Sequence, residues 1–214
     1  MVKLFRNRIM FYTIKPLIVA LVLLLGPILA CAQTNILFFG NSLTAGYGLS
    51  QEEAFPAVAE ELLRKKGREV KAINAGLSGE TSAGGLTRID WILRQPVDIL
   101  VLELGANDGL RGLPLDQTRK NLQGIIDKVK MRYPRARIVI AGMMVPPNMG
   151  PEYSHKFRQL FQELARKNRA VLIPFLLEGV AGHSHLNLPD GIHPNAEGHR
   201  IVAQTVIKYL EPII

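Results

Sequence analysis

The amino-acid sequence predicts an α/β domain of three layers, α/β/α, built on a five-stranded parallel sheet. Two observations carry that expectation. Short apolar runs of strand length alternate with amphipathic segments of helix length, in the order βαβαβαβαβ followed by a loop and a last helix. Of the 214 residues, the 182 after position 32 suffice for one hydrophobic core, and no repeat, low-complexity linker or second-domain boundary divides them.

Residues 1–32 stand apart from the domain expected over 33–214. Lys3, Arg6, Arg8 and Lys15 precede Leu17 to Ala30, an apolar stretch without a charge, which is the arrangement of an export signal. Ala30, Cys31 and Ala32 fit a small-x-small cleavage site that would start the mature chain at Gln33. Cys31 in Ile28-Leu29-Ala30-Cys31 also partly resembles a lipoprotein signal, in which that cysteine would be lipidated and hold the protein at a membrane. A retained membrane helix is the runner-up to export, because the segment approaches bilayer-spanning length if residues before Leu17 are included. Beyond Ala32 no cysteine remains, so the fold relies on its core. The formal charge of +8 falls to +4 without the four basic residues of this segment. No dense basic-aromatic patch is visible along the chain, so nucleic acid is not an expected partner.

The first strand is Ile36 to Phe39, ending at Gly40, and Ser42 follows where the chain would enter the crevice at a strand's carboxyl end. After a polar loop, Phe55 to Lys66 buries Phe55, Val58, Ala59, Leu62 and Leu63 on one helical face, and Gly67 ends it. Val70 to Asn74 is the second strand, followed by the small-residue loop Ala75 to Gly79 and a helix from Thr81 to Leu93. Val97 to Leu104 is the central strand, broken at its start by Asp98. The helix Asp116 to Arg132 leads to the strand Arg137 to Ala141, and Pro146 and Pro147 interrupt the loop that leaves it. Tyr153 to Asn168 is helical, Ala170 to Pro174 is the last strand and Ala196 to Leu210 the last helix. The connection from Phe175 to Pro194 is long for a βα link, which marks it as a candidate carrier of function.

That connection holds Leu188-Pro-Asp-Gly-Ile-His-Pro-Asn195. Asp190 and His193 are close together on a proline-restricted loop, so the carboxylate can hold one imidazole nitrogen while the other faces a nucleophile such as Ser42. Together with Gly40-Asn41-Ser42-Leu43-Thr44-Ala45-Gly46-Tyr47, Gly79, and Glu103-Leu104-Gly105-Ala106-Asn107-Asp108-Gly109-Leu110-Arg111-Gly112, this segment completes four blocks in order. The chain thereby resembles the SGNH hydrolases, also called GDSL esterases and lipases, and especially their small bacterial arylesterase, thioesterase and lysophospholipase members. The resemblance spans essentially all of 33–214 and implies a flavodoxin-like SGNH hydrolase fold.

What the resemblance implies for the site is specific. Ser42 would be the nucleophile, His193 the general base and acid, and Asp190 the group that orients it. Ser42, Gly79 and Asn107 would supply the oxyanion hole, which stabilises the charge that develops on the substrate carbonyl. The activity expected is serine-dependent hydrolysis of an acyl ester, a thioester or a lysophospholipid, with no cofactor and no metal. Carbohydrate acetyl esterase and a non-catalytic exported binding protein are the alternatives. Leu77, Leu110, Met143, Met144, Val145 and Pro146, with Pro147, are candidates for an apolar acyl groove. His183 and His185 lack a clear third metal ligand and read as loop histidines, while His155 and His199 fall on helices as surface or packing residues. A monomer in the bacterial periplasm is the expected state.

Asn41 departs from the family, whose members commonly carry aspartate beside the nucleophile. Either side chain can accept a backbone hydrogen bond and organise the turn, but the amide supplies no negative field. Asn41→Asp is therefore expected to retain the fold, measured by circular dichroism and thermal unfolding; loss of cooperative unfolding in this variant would contradict the turn-support role.

Overall fold

The computed structural model describes residues 33–214. The export and Cys31 expectations lie outside the described residues. Five parallel strands, β1 (Thr34–Gly40), β2 (Val70–Gly76), β3 (Ile99–Glu103), β4 (Arg137–Ala141) and β5 (Val171–Ile173), form one sheet in the order β2-β1-β3-β4-β5. The helices are α1 (Ser42–Ala45), α2 (Phe55–Lys65), α3 (Ser82–Ile92), α4 (Ala106–Leu110), α5 (Leu115–Arg132), α6 (Pro151–Asn168) and α7 (Ala196–Leu210). α2 packs against α7, and α3 and α6 both pack against α5, which gives the α/β/α layering.

Local chemistry explains the boundaries. β1 and β3 are central and buried along most of their length, as near-continuous apolar runs require when both faces are covered. β3 begins at Ile99 rather than Val97 because Asp98 turns its carboxylate onto β1, accepting from the Asn35 backbone N–H at 2.8 Å and its side-chain amide at 3.1 Å. β2 runs two residues beyond Asn74, since Ala75 and Gly76 stay in register with Phe39 and Gly40. Thr81 caps α3 and Asn195 caps α7 through side-chain oxygens that accept from Gly84 N and Gly198 N. The short helices α1 and α4 were not expected from periodicity, being too brief to show one.

β1 is the switch point of the sheet. The chain leaves it toward β2 on one side and returns to β3 on the other, so a crevice opens beyond the carboxyl ends of β1 and β3. Ser42 and Ala106 to Leu110 follow those two ends.

His199 locks α7 to the start of α2. It is 1% exposed, its Nδ1 accepts from the Phe55 backbone N–H at 3.0 Å, and its ring stacks on Phe55. Burial first, and the nearby His193 second, push its pKa down to about 4. An unfolded chain protonates this histidine near pH 6.5, so its contribution is complete above that value and is lost as pH falls from 6.5 toward 4, by about 3 kcal/mol. His199→Asn keeps an acceptor near Nδ1 without a titrating ring. The stability difference between parent and variant, from urea unfolding, should shift in favour of the variant across that window; a pH-independent difference would overturn this assignment.

Candidate active site

The turn after β1 is built around a buried carboxylate. Glu103, the last residue of β3, is 0% exposed and receives three donors. The Asn41 backbone N–H donates to Oε2 at 3.0 Å, the Asn41 side-chain amide to Oε1 at 2.7 Å, and the Thr44 hydroxyl to Oε2 at 2.8 Å. Asn41 Oδ1 in turn caps α1 by accepting from Leu43 N at 2.9 Å. Gly40 is required at this approach, because a Cβ there would lie 2.1 Å from the Thr44 hydroxyl oxygen and 2.5 Å from Glu103 Oε2. Burial pushes the Glu103 carboxyl up to about 7, against the pull of its hydrogen bonds.

Ser42, held by this turn, meets the late loop. An isolated antiparallel bridge, Asn187 to Pro194, and the Leu188 N to His193 O bond at 2.7 Å close that loop into a tight ring. Inside it Asp190 Oδ1 accepts from the backbone N–H groups of Ile192 and His193, at 2.9 and 3.0 Å. Asp190 Oδ2 lies 2.7 Å from His193 Nδ1, and His193 Nε2 lies 2.9 Å from Ser42 Oγ. The backbone and side-chain bonds from His193, then that from Ile192, hold the Asp190 carboxyl down at about 2. A carboxylate fixed in this way keeps the proton on Nδ1 and leaves Nε2 to accept from the serine hydroxyl. The Tyr47 ring packs over His193 with centroids 4.5 Å apart.

Gly79 sits in the loop after β2 with φ +78°, a left-handed conformation that glycine adopts without strain. Its carbonyl accepts from Arg111 at 3.1 Å. The adjoining Glu80 is anchored by two bonds from the Arg88 guanidinium, which also caps the Ala75 carbonyl and lies over the Phe39 ring. Asn107, near the start of α4, donates one amide hydrogen to the Glu80 carbonyl at 2.9 Å, leaving the other free to donate elsewhere. Asp108 beside it is buried and accepts from Ser82 N, Ser82 Oγ and Thr118 Oγ1, tying α4 to α3 and α5. Among the described residues, neither Ser42 N–H nor Gly79 N–H is engaged by an acceptor.

The groove expectation needs a correction. Met143 and Val145 do not line an open groove: the extended chain after β4 alternates, turning them into the core at 4% and 9% exposure and Met144 and Pro146 outward. Leu77 and Leu110 are exposed, and Pro147 is exposed at the start of a single 3-10 turn. Sequence reasoning missed Tyr47, Leu113 and Ile192 as exposed apolar side chains; they lie in connections that follow β1, β3 and β5. It also missed the anchoring role of Glu103, although an acid ending the wholly apolar run Ile99-Leu-Val-Leu102 was a visible signal. His183 and His185 are exposed with ring centroids 5.9 Å apart, and among the described residues no group of three or more His, Cys, Asp or Glu could hold a metal ion. His155 is exposed on α6.

A parallel α/β sheet that brings serine, histidine and aspartate into one hydrogen-bonded row at its switch point defines the class of serine-dependent acyl hydrolases. The chain belongs to the GDSL-like lipase/acylhydrolase family, whose sequence pattern matches residues 38–201. It is similar to esterase TesA of Pseudomonas aeruginosa, with 36% identity over 86% of this chain and 91% of the relative. It is also similar to thioesterase 1/protease 1/lysophospholipase L1 of Escherichia coli, with 35% identity over 86% and 87% of the two chains. Among solved structures, AlinE4, an SGNH-hydrolase family esterase, superposes with a TM-score of 0.71 at 41% identity, covering 85% of this chain and 97% of its own.

The Glu103 geometry makes a specific demand. In Glu103→Gln one carboxylate oxygen becomes an amide, and whichever position it takes it faces a donor, because Asn41 Oδ1 is already turned toward Leu43 N. The expected loss is about 1–3 kcal/mol of stability. Asn41→Asp in the same chain restores an acceptor opposite the new amide, so Asn41→Asp/Glu103→Gln should recover most of that loss in urea unfolding. Additive destabilisation by the two changes would show that the pair does not bond as described.

Proposed function

We propose that the protein is a serine hydrolase of carboxylic esters or thioesters in which Ser42 is the nucleophile, His193 the general base and acid, and Asp190 its orienting carboxylate. The observation that carries this reading is the unbroken row from Asp190 Oδ2 through His193 to Ser42 Oγ, with gaps of 2.7 and 2.9 Å. In the first half-reaction the Ser42 hydroxyl attacks the substrate carbonyl carbon as its proton passes to His193 Nε2. The carbonyl oxygen becomes an oxyanion, received by the N–H groups of Ser42 and Gly79 and the free hydrogen of the Asn107 amide. His193 then gives its proton to the departing alcohol or thiol, leaving an acyl group on Ser42. Water then bonds to the acyl carbon as it loses a proton to the same nitrogen, and when the bond from that carbon to Ser42 Oγ breaks His193 returns the proton to Oγ, releasing the carboxylic acid and restoring the serine.

Substrate preference follows the surroundings of the row. Tyr47, Leu77, Leu110, Met144 and Ile192 are exposed on the connections and the short helix α4 that follow the strands, with Tyr47 packed on His193, so aryl or aliphatic acyl esters, acyl thioesters and lysophospholipids fit better than a sugar, which needs a polar cleft. The domain is 33–214, and residues 1–32 direct export to the periplasm, where lipid esters are more accessible than cytosolic acyl-CoA. The working state is a monomer.

The test is turnover of an aryl ester, an acyl thioester and a lysophospholipid by the parent and by single variants. Ser42→Ala and His193→Ala should each lower kcat by roughly a millionfold. Asn107→Ala should lower it by about a hundred- to a thousandfold with KM little changed, as expected of a donor that acts on the transition state. Turnover that persists equally in the Ser42 and His193 variants would end this reading.

A further inference from the structure

Because all five strands run the same way, α2, α3, α5, α6 and α7 return their C-termini to the pole where the strands begin. That pole comprises the connections 66–69, 93–98, 133–136 and 169–170, the segment 211–214, the last four residues of those five helices and the first residue of each strand. It carries thirteen Lys and Arg against four Asp and Glu, whereas the rest of 33–214 carries nine against fourteen. The molecule is therefore an electric dipole with its basic end opposite Ser42. Helix C-termini favour cations, which accounts for residues such as Lys65, Lys130 and Arg166. It does not account for Arg68, Arg94, Arg135 and Arg137, which lie in connections or at a strand start. Among the described residues Arg68, Arg94, Arg132 and Arg135 are exposed and form no ion pair with a carboxylate.

Two large apolar side chains protrude on this charged end. Trp91, the single tryptophan of the chain, is 64% exposed near the C-terminus of α3, and Met131 is 78% exposed near the C-terminus of α5. Between the two helix ends, Asp90, Leu93, Arg94, Lys128, Met131 and Arg132 line one shallow groove, in which Asp90 pairs with Lys128 at 2.6 Å and, among the described residues, leaves Arg94 and Arg132 as its unpaired cations. Tryptophan beside arginine and lysine is the composition that settles at a lipid headgroup boundary, where the ring enters the interface and the cations meet phosphate. Gln33, from which the chain continues back to the uncharged stretch Leu17 to Ala30, leads into β1 at the same pole.

We propose that this pole is a docking surface for an anionic phospholipid bilayer, with Trp91 and Met131 entering the interface and the Ser42 site directed away from it. Charge selects the partner: the basic pole is attracted, while the opposite pole, with its excess of carboxylates, is repelled. Nucleic acid shares the charge preference but gives no role to an exposed methionine among the arginines. The seven residues of β1 separate the two poles by about 23 Å, so the docked enzyme draws substrate from the aqueous side. The surface does not depend on the chemistry assigned to Ser42.

Trp91 reports on the surface directly, because no other tryptophan contributes. The full chain is mixed with vesicles of phosphatidylcholine alone or with a third of phosphatidylglycerol, and Trp91 emission is followed together with its quenching by brominated acyl chains. Anionic vesicles should shift the emission to the blue and expose Trp91 to the bromines, and salt near 0.5 M, roughly where screening falls below 5 Å, should reverse both. Arg94→Glu/Arg132→Glu/Arg135→Glu should weaken partitioning by more than about a hundredfold while ester turnover stays at the parent rate. Lys156→Glu/Arg158→Glu/Arg200→Glu, the same charge change in the N-terminal halves of α6 and α7, should leave partitioning unchanged. An equal Trp91 response to neutral and anionic vesicles, no response to either, or equal loss in both triple variants would overturn the proposal. So would a Trp91 response to duplex DNA that vesicles fail to produce.

Discussion

The site depends on one buried carboxylate. Glu103 ends the central strand β3 beneath the turn that carries Ser42, and its two oxygens collect the backbone and side-chain donors of Asn41 and the hydroxyl of Thr44. A buried acceptor with three converging donors leaves that turn few conformations, since each rotation strands a polar group away from water. Gly40 makes the approach sterically possible, and Asn41 completes it by bonding Glu103 with its amide while capping α1 with its oxygen. Asn41 therefore serves two partners at once. An aspartate in its place would bring two carboxyls together, which remain compatible only by sharing a proton. The neutral amide removes that conflict.

The relay is local on one side and distant on the other. Asp190 and His193 hold each other within a ring closed by Leu188 and His193, so their geometry is written in six consecutive residues and was legible from them. Ser42 lies 151 positions earlier, and only the parallel sheet brings it to 2.9 Å from His193. That the strands form one parallel sheet could be read from their alternation with helices, as could most helix boundaries and the terminal helix in full. The short helices α1 and α4 could not, because four or five residues show no period and owe their shape to Glu103 and Asp108. The groove was misread at Met143 and Val145 for a related reason. An apolar loop looks uniformly suited to a ligand until the alternation of its extended backbone assigns every second side chain to the core.

Two buried titrating groups oppose one another in the mildly acidic range. His199 stays neutral in the fold where an unfolded histidine would charge, so its contribution falls as pH drops from 6.5 toward 4. Glu103 holds its proton where an unfolded glutamate would not, so its contribution is complete below about 4.5 and is lost as pH rises toward 7. The two windows overlap with opposite slopes. Their sum varies less than either alone, which allows a buried acid beneath Ser42 and a buried base between α2 and α7 to coexist without a steep pH dependence of the fold.

The charge distribution shows what linear reading overlooks. Along the chain the cations are spread in small groups after each helix, none dense enough to mark a surface, and composition gives only a net +4 for 33–214. The topology gathers them: in a parallel α/β fold each helix must run back to the strand starts, so residues placed at helix ends for local reasons converge on one pole. The same rule sends the loops that follow the strands, with Ser42, Asn107 and His193, to the other pole. The Ser42 site and the basic pole are thus separated by the length of the strands themselves, and substitutions at Arg94 or Arg135 reach the site only through the rigid sheet between them.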